Sequence, residues 1–237
     1  MPVAFAEGRI TKLRREAKLA LAPAEAAALR ARLAVEVGAP AISRVVSVYF
    51  DGPGWPLAAR GAAAPHDTVK LRFKEYFPDR GGSGSERVVL ELKREANGVT
   101  RKERVWVPRQ GLEAALRDPG VALLRAWIGD NPLLPAVAVS YEREVYQGEE
   151  TWRVTVDSGV EFFRIDPRLA LSTEPLRREL LGQPNGCEER TIVELKHLDA
   201  HLPSWLAGYG GARAGYSKFA QAMRCVHGVG EACAAVG

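Results

Sequence analysis

Along Lys70-Leu71-Arg72-Phe73-Lys74 the chain alternates cation and apolar residue without a break. A strand turns successive side chains to opposite faces, so Lys70, Arg72 and Lys74 share one side while Leu71 and Phe73 take the other. Like charges two apart on such a face sit roughly 7 Å from each other. They repel unless water or an anion compensates. One such strand is an ordinary solvated face. The phase recurs, however, in Glu91/Lys93, Lys102/Arg104, Tyr141/Arg143, Arg153/Thr155/Asp157 and Glu194/Lys196, with Leu90 and Leu92 opposite the first set and Val154 and Val156 opposite the fourth.

The same patterning predicts the elements. Thr11 to Leu21 reads as a strand, and Pro23 opens an alanine-rich helix to about Val37 with Leu29, Leu33 and Val37 on one core-facing stripe. Ser43 to Phe50 is β-branched and aromatic, a strand stopped by Asp51-Gly52-Pro53. A loop with a short helical turn runs to Pro65, followed by a strand over Asp67 to Phe77. Glu86 to Arg94 and Val99 to Val107 form a hairpin through Asn97-Gly98. A helical region is expected from about Gln110 to Trp127, interrupted at Asp118-Pro119-Gly120. Ala136 to Tyr146 and Thr151 to Val156 make a second hairpin, Val160 to Ile165 a separate strand, Glu189 to Leu198 a late one, and Ser217 to Val226 a terminal helix. The tail beyond Gly228 is expected to fray.

Many strands and few helices, without βαβ alternation, predict an α+β fold. Its centre is an antiparallel sheet closed or nearly closed on itself, with helices packed outside. One domain spanning residues 1–237, with its core at about 9–227, is the economical division of 237 residues.

Composition narrows the chemistry. Hydrophobic residues make up 46% and charged residues 26%, an ordinary globular balance, and the net charge of +4 is too small to mark a nucleic-acid binder. The three cysteines, Cys187, Cys225 and Cys233, lack metal-binding or disulfide-framework spacing. No apolar leader and no long apolar run is visible, so a cytoplasmic location is expected without a membrane span in this chain; a membrane partner and the oligomeric state stay open. Trp55, Trp127 and Trp205 read as packing residues, and the His197/His201 pair is set aside as a zinc site because a strand precedes it and Pro203 follows.

A solvent face mixes signs, whereas most polar positions in these strands are cations with few carboxylates between them. A polar barrel interior explains that better: a cationic tunnel for a polyanion, with a few glutamates left for a metal. Phe73 falls in the apolar phase and Trp152 in the non-cationic one, so stacking of nucleic-acid bases gets little support. A chain of phosphates, which Arg and Lys neutralise without base contacts, fits instead.

The ordered segments RREAK, SVYFD, KLRFKEY, LELK, RKER, YERE, RVTVD, VELKH and YSKF, from about Arg14 to Arg224, together resemble the VTC domain. This is the vacuolar transporter chaperone polyphosphate polymerase module of the CYTH-like triphosphate tunnel metalloenzymes. The resemblance implies an eight-stranded antiparallel tunnel that takes ATP or another triphosphate, and polyphosphate, together with Mn²⁺ or Mg²⁺. It implies catalytic roles for Lys70, Arg72, Lys93, Arg143 and Lys218. Phosphate contacts would come from Lys18, Lys74, Lys102, Tyr141, Arg153 and Ser217, with Arg104 added by its phase. Glu194 matches the metal-binding glutamate, and Glu16 is either a second ligand or the partner of Lys18. Lys74 stands where the family more often has arginine, which keeps the charge and loses the bidentate fork.

One departure separates branches of the superfamily. Its phosphohydrolases begin with glutamate-x-glutamate-x-lysine, whereas this chain has Arg14-Arg15-Glu16-Ala17-Lys18. Arg14 replaces a candidate metal ligand by a cation, which is the VTC pattern and favours polymer synthesis. A CYTH-type triphosphatase or nucleotidyl cyclase, and a non-catalytic polyphosphate-binding module, remain the competing expectations.

Overall fold

The computed structural model describes residues 15–78, 87–97, 99–117, 130–148, 151–197, 202–210 and 215–230. Among them, nine strands form one antiparallel sheet: β1 Arg15–Leu21, β2 Ala41–Asp51, β3 Thr68–Pro78, β4 Arg87–Ala96, β5 Val99–Pro108, β6 Leu134–Gly148, β7 Trp152–Arg164, β8 Gly186–Glu188 and β9 Thr191–His197. Eight of them follow the path β1-β9-β7-β6-β2-β3-β4-β5, and β8 pairs with β7 beside that path. The helices are α1 Pro23–Val37, α2 Pro56–Ala63, α3 Leu112–Leu116, α4 Pro167–Ala170, α5 Ser204–Gly210 and α6 Lys218–His227.

The two-residue phase seen in the sequence becomes two faces of a curled sheet. Leu71 and Phe73 of β3, Leu90 and Leu92 of β4, and Val107 of β5 join one buried apolar cluster with Leu112 of α3. On the other half, Leu19, Val154, Val156, Val193 and Leu195 pack under Ala26, Leu29 and Leu33 of α1. The predicted stripe of α1 is therefore its buried face. Pro23 starts the helix, and the Glu25 carboxylate accepts the Ala22 backbone N–H at 2.9 Å.

The strand expected at 151–156 and the one expected at 160–165 are a single strand, which corrects the sequence reading. Ser140 pairs with Glu161 and Glu142 with Ser158, so Gly159 and Val160 together oppose one residue, Tyr141. Gly159 has φ +56°, the left-handed conformation that such a bulge needs and glycine adopts without cost to a side chain. The bulge bends β7 while keeping it in the sheet. A second register shift, between Tyr49 and Phe50 on β2, bends the neighbouring pair.

The region after β5 is helical as far as it is described. It begins as a 3₁₀ turn at Arg109–Gly111 and continues as the short α3, and the rest of the predicted helix, from residue 118 to 127, lies outside the described residues. So do Thr11 to Arg14 of the first predicted strand, Gly98, His201 and the tail beyond residue 230.

While α1 packs outside, α6 lies on the inward side at one end. Val45, Val137, Val139, Tyr141, Phe162 and Ile192 present an apolar patch there, and Phe219, Met223 and Val226 of α6 cover it. No helix among the described residues is long and apolar enough to cross a membrane.

Candidate functional site: a cationic tunnel organised by carboxylates

Register brings the charged phases into rows on one face. Lys70 pairs with Lys93, and Lys93 with Lys102. Arg72 pairs with Glu91, and Glu91 with Arg104. On the other half, Lys18 pairs with Glu194, Glu194 with Thr155, Glu16 with Lys196, Lys196 with Arg153, and Asp157 with Arg143. Every sequence-predicted tunnel cation thus shares this face with its neighbours.

Glu91 is the hub of the first half. It is fully buried, and four cations meet it: Arg72 at 2.5 Å, Arg104 at 2.7 Å, Lys74 at 3.4 Å and Lys102 at 3.8 Å. Burial alone would raise its carboxyl, but these cations outweigh burial and hold it far below the usual carboxylate range. Tyr49 completes the arrangement, its hydroxyl accepting from Arg72 Nη1 at 2.8 Å and its ring stacking on Phe219 at 5.0 Å. Lys70 and Lys93 turn instead to Glu95, at 3.7 and 3.2 Å.

Asp157 organises the second half. Arg143 grips it with Nε and Nη2 at 2.6 and 2.7 Å, and Lys218 Nζ donates at 2.6 Å. Burial favours a neutral Asp157, yet Lys218 and Arg143 pull it down into the ionised form. Ser217 accepts the Ala220 N–H at 3.3 Å and so caps α6, which fixes Lys218 in the first turn. Tyr141, 1% exposed, lies under both cations, 5.2 Å from Arg143 and 4.5 Å from Lys218.

Glu16 and Glu194 converge. Lys196 Nζ lies 2.5 Å from Glu194 and 3.5 Å from Glu16, and Lys18 is 3.4 Å from Glu16. Burial would raise the Glu194 carboxyl, but Lys196 and Lys18 hold it well below its ordinary value. Two carboxylates side by side suit Mg²⁺ or Mn²⁺, which binds through one or two carboxylates and takes its other oxygens from water and substrate phosphate. A self-sufficient cage of three or more His, Cys, Asp or Glu is absent among the described residues. Glu16 pairs with both Lys18 and Lys196.

The two ends of the sheet path face each other through these side chains. Lys18 of β1 feels Glu95 of β4, and Lys102 of β5 feels Lys196 of β9. Such interactions between opposite ends require the sheet to curl, although no backbone pairing joins β1 to β5 among the described residues. Crowding leaves its mark on the lysines. Burial, then Lys93, Lys18 and Arg72, bring Lys70 down to about 8 despite Glu95. Burial, then Lys196, Arg104 and Arg72, bring Lys102 to about 8 despite Glu91. Burial and Arg72 push Lys74 well below the ordinary lysine value.

Carboxylates are outnumbered by cations on this face, yet they organise it. Glu91 and Glu95, to which the sequence assigns no site role, and Asp157, which it leaves between substrate contact and ion pairing, each hold at least two cations. Glu91 and Asp157 lie in the LELK and RVTVD segments and Glu95 two residues beyond the first, but the importance of all three depends on cross-strand register. Arg164 donates from Nη2 to the Val226 carbonyl and ties β7 to α6. Trp55 packs against His227 at 4.3 Å and Trp205 against Trp152, as packing residues do; Trp127 lies outside the described residues. His197 is buried on β9.

This arrangement agrees with what the chain is similar to. A putative adenylyl cyclase from Hippeastrum, described as revealing a dominant triphosphatase activity, superposes with TM-score 0.54 at 16% identity, covering 89% of this chain and 95% of the other. A putative adenylate cyclase from Bacillus halodurans gives TM-score 0.52 at 13% identity over 86% and 95% of the two chains. A protein from Pyrococcus horikoshii gives 0.50 at 13% identity over 90% and 99%. No curated protein sequence matches the chain. The VTC domain family matches residues 13–227, almost the whole length. With its charged curled sheet and the fold it shares with these neighbours, the chain belongs to the VTC domain family.

Proposed function

We propose that the tunnel binds the triphosphate of ATP and transfers its γ-phosphoryl group to phosphate or to a growing polyphosphate chain. The observation that carries the phosphate part is the convergence of Arg72, Lys74, Lys102 and Arg104 on one buried carboxylate, beside Arg143 and Lys218 on another. Cations so placed are oriented before a ligand arrives, and phosphoryl transfer depends on orientation and charge neutralisation more than on a protein base. Membership of the VTC family and Arg14 in place of a glutamate support synthesis over hydrolysis.

In this reading an oxygen of the acceptor phosphate attacks the γ-phosphorus in line as the bond to the β–γ bridging oxygen breaks. ADP leaves with that oxygen, and the polymer is longer by one unit. Arg72, Arg143 and Lys218 orient the non-bridging oxygens, while Lys70 and Lys93 extend the cationic wall along the chain. Glu194 and Glu16 would hold Mg²⁺ or Mn²⁺, which would neutralise phosphate charge.

A second reading, triphosphate hydrolysis, is favoured by the activity described for the Hippeastrum neighbour. One assay separates them: ATP with Mn²⁺, followed by gel analysis for an acid-labile polymer alongside ADP and free phosphate. Polymer with ADP is expected. Free phosphate or cyclic nucleotide without polymer supports a triphosphatase or cyclase, and binding without turnover a polyphosphate-binding module. Glu194→Gln is expected to lose metal-dependent turnover, and an unchanged metal titration would remove Glu194 as a ligand.

A further inference from the structure

Resting on that triphosphate reading, we infer that Trp106 is a stacking platform for the nucleobase, so that the tunnel takes nucleoside triphosphates in preference to inorganic tripolyphosphate. Among the described residues, Trp106 is the large aromatic side chain that the fold leaves open to solvent, 53% exposed, whereas Trp152 is buried and Trp55 packs against His227. Its position is not an accident of a loose end. It lies within β5, paired with Val89, and its carbonyl accepts from Arg87 Nη2 at 3.1 Å.

The decisive point is the face. Arg104 reaches Glu91 on the tunnel side, and Trp106, two residues on, shares that side. Val105 and Val107 turn the other way into the apolar cluster over α3. Trp106 therefore stands roughly 7 Å along the strand from Arg104 and roughly 14 Å from Lys102. A nucleobase is tethered by one ribose to its α-phosphate, so a base platform must lie within a nucleotide's length of the phosphate-binding cations. Among the described tryptophans, Trp106 meets that condition on the cationic face. Every base presents a π-face, so stacking holds the nucleoside without choosing strongly among bases.

The test compares ATP with inorganic tripolyphosphate, both with Mg²⁺, by titration calorimetry on the full chain. Trp106→Ala is expected to weaken ATP about tenfold, within the range for loss of one stacked base, and to leave tripolyphosphate within about twofold. Trp106→Phe is expected to recover most of the ATP affinity. Because the side chain is half exposed, unchanged tripolyphosphate binding also reports that the variant is folded. An equal loss for both ligands, or no loss for ATP, overturns the inference while leaving the triphosphate reading in place. Failure of the native protein to bind either ligand overturns both.

Discussion

Glu91 shows how a single residue sets the character of this site. Its four cationic neighbours repel one another, and a carboxylate with no solvent exposure is what lets them coexist. Removing one member of a buried ion pair costs about 3–5 kcal/mol because the partner charge is left uncompensated. Glu91→Gln is expected to lose about 3 kcal/mol, a fall in Tm on the order of 10 °C at this length. Tripolyphosphate, which supplies the missing negative charge, should restore much of it in thermal melts. An unchanged Tm would show that the cations are not held by this group. Lys70 and Lys102, both brought down to about 8, are protonated below that pH and lose charge above it. Phosphate affinity contributed by these two lysines is therefore expected to decline as pH rises from about 7 to 9. Arginine stays charged throughout, so a Lys70→Arg/Lys102→Arg variant should show a flatter profile than the native chain when tripolyphosphate binding is titrated across that range. Identical profiles would rule these lysines out as the titrating groups. None of this was readable from Glu91 alone, whose sequence neighbourhood looks like any alternating strand.

At the scale of elements, α1 and α6 do different things although both are short amphipathic helices. Leu29 and Leu33 of α1 bury against the outward apolar face of β1, β7 and β9. Leu33→Ala should therefore cost about 2–5 kcal/mol and leave tripolyphosphate affinity of the folded protein unchanged, which melts and calorimetry together would establish. Loss of affinity in the folded variant would mean that α1 supports the tunnel directly. The α1 stripe was legible because helical periodicity and a proline start are local features. The inward placement of α6 was not, since Phe219 and Met223 would read identically against either face of the sheet. The division of β7 into two expected strands failed for a related reason. Gly159 interrupts the pattern as a turn glycine does, and only pairing with Tyr141 on β6 identifies it as a bulge.

For the molecule as a whole, the question is whether the ends of the sheet path meet. Lys18 belongs to β1 and Glu95 to β4, six places apart along the path, yet they interact electrostatically. A double-mutant cycle on Lys18→Ala and Glu95→Ala is expected to give a coupling of about 0.5 kcal/mol or more in thermal stability, as for residues sharing one charge network. Additive effects would describe an open sheet. The fold is also what the structural neighbours share at 13–16% identity.

The alternation of apolar and charged positions by itself determined that these segments are strands, that their apolar faces are covered and that their charged faces form one class of surface. That information is local, because side-chain direction in a strand depends only on residue parity. The ordered motifs likewise carried the family. Only the tertiary structure decided which carboxylate neutralises which cation, because a partner across the sheet is set by register and a partner across the tunnel by curvature. Two register shifts bend the sheet, and the bend turns scattered lysines and arginines into groups held by Glu91, Glu95, Asp157 and Glu194. The face that looked too positive to be stable is stable because those carboxylates are folded into it.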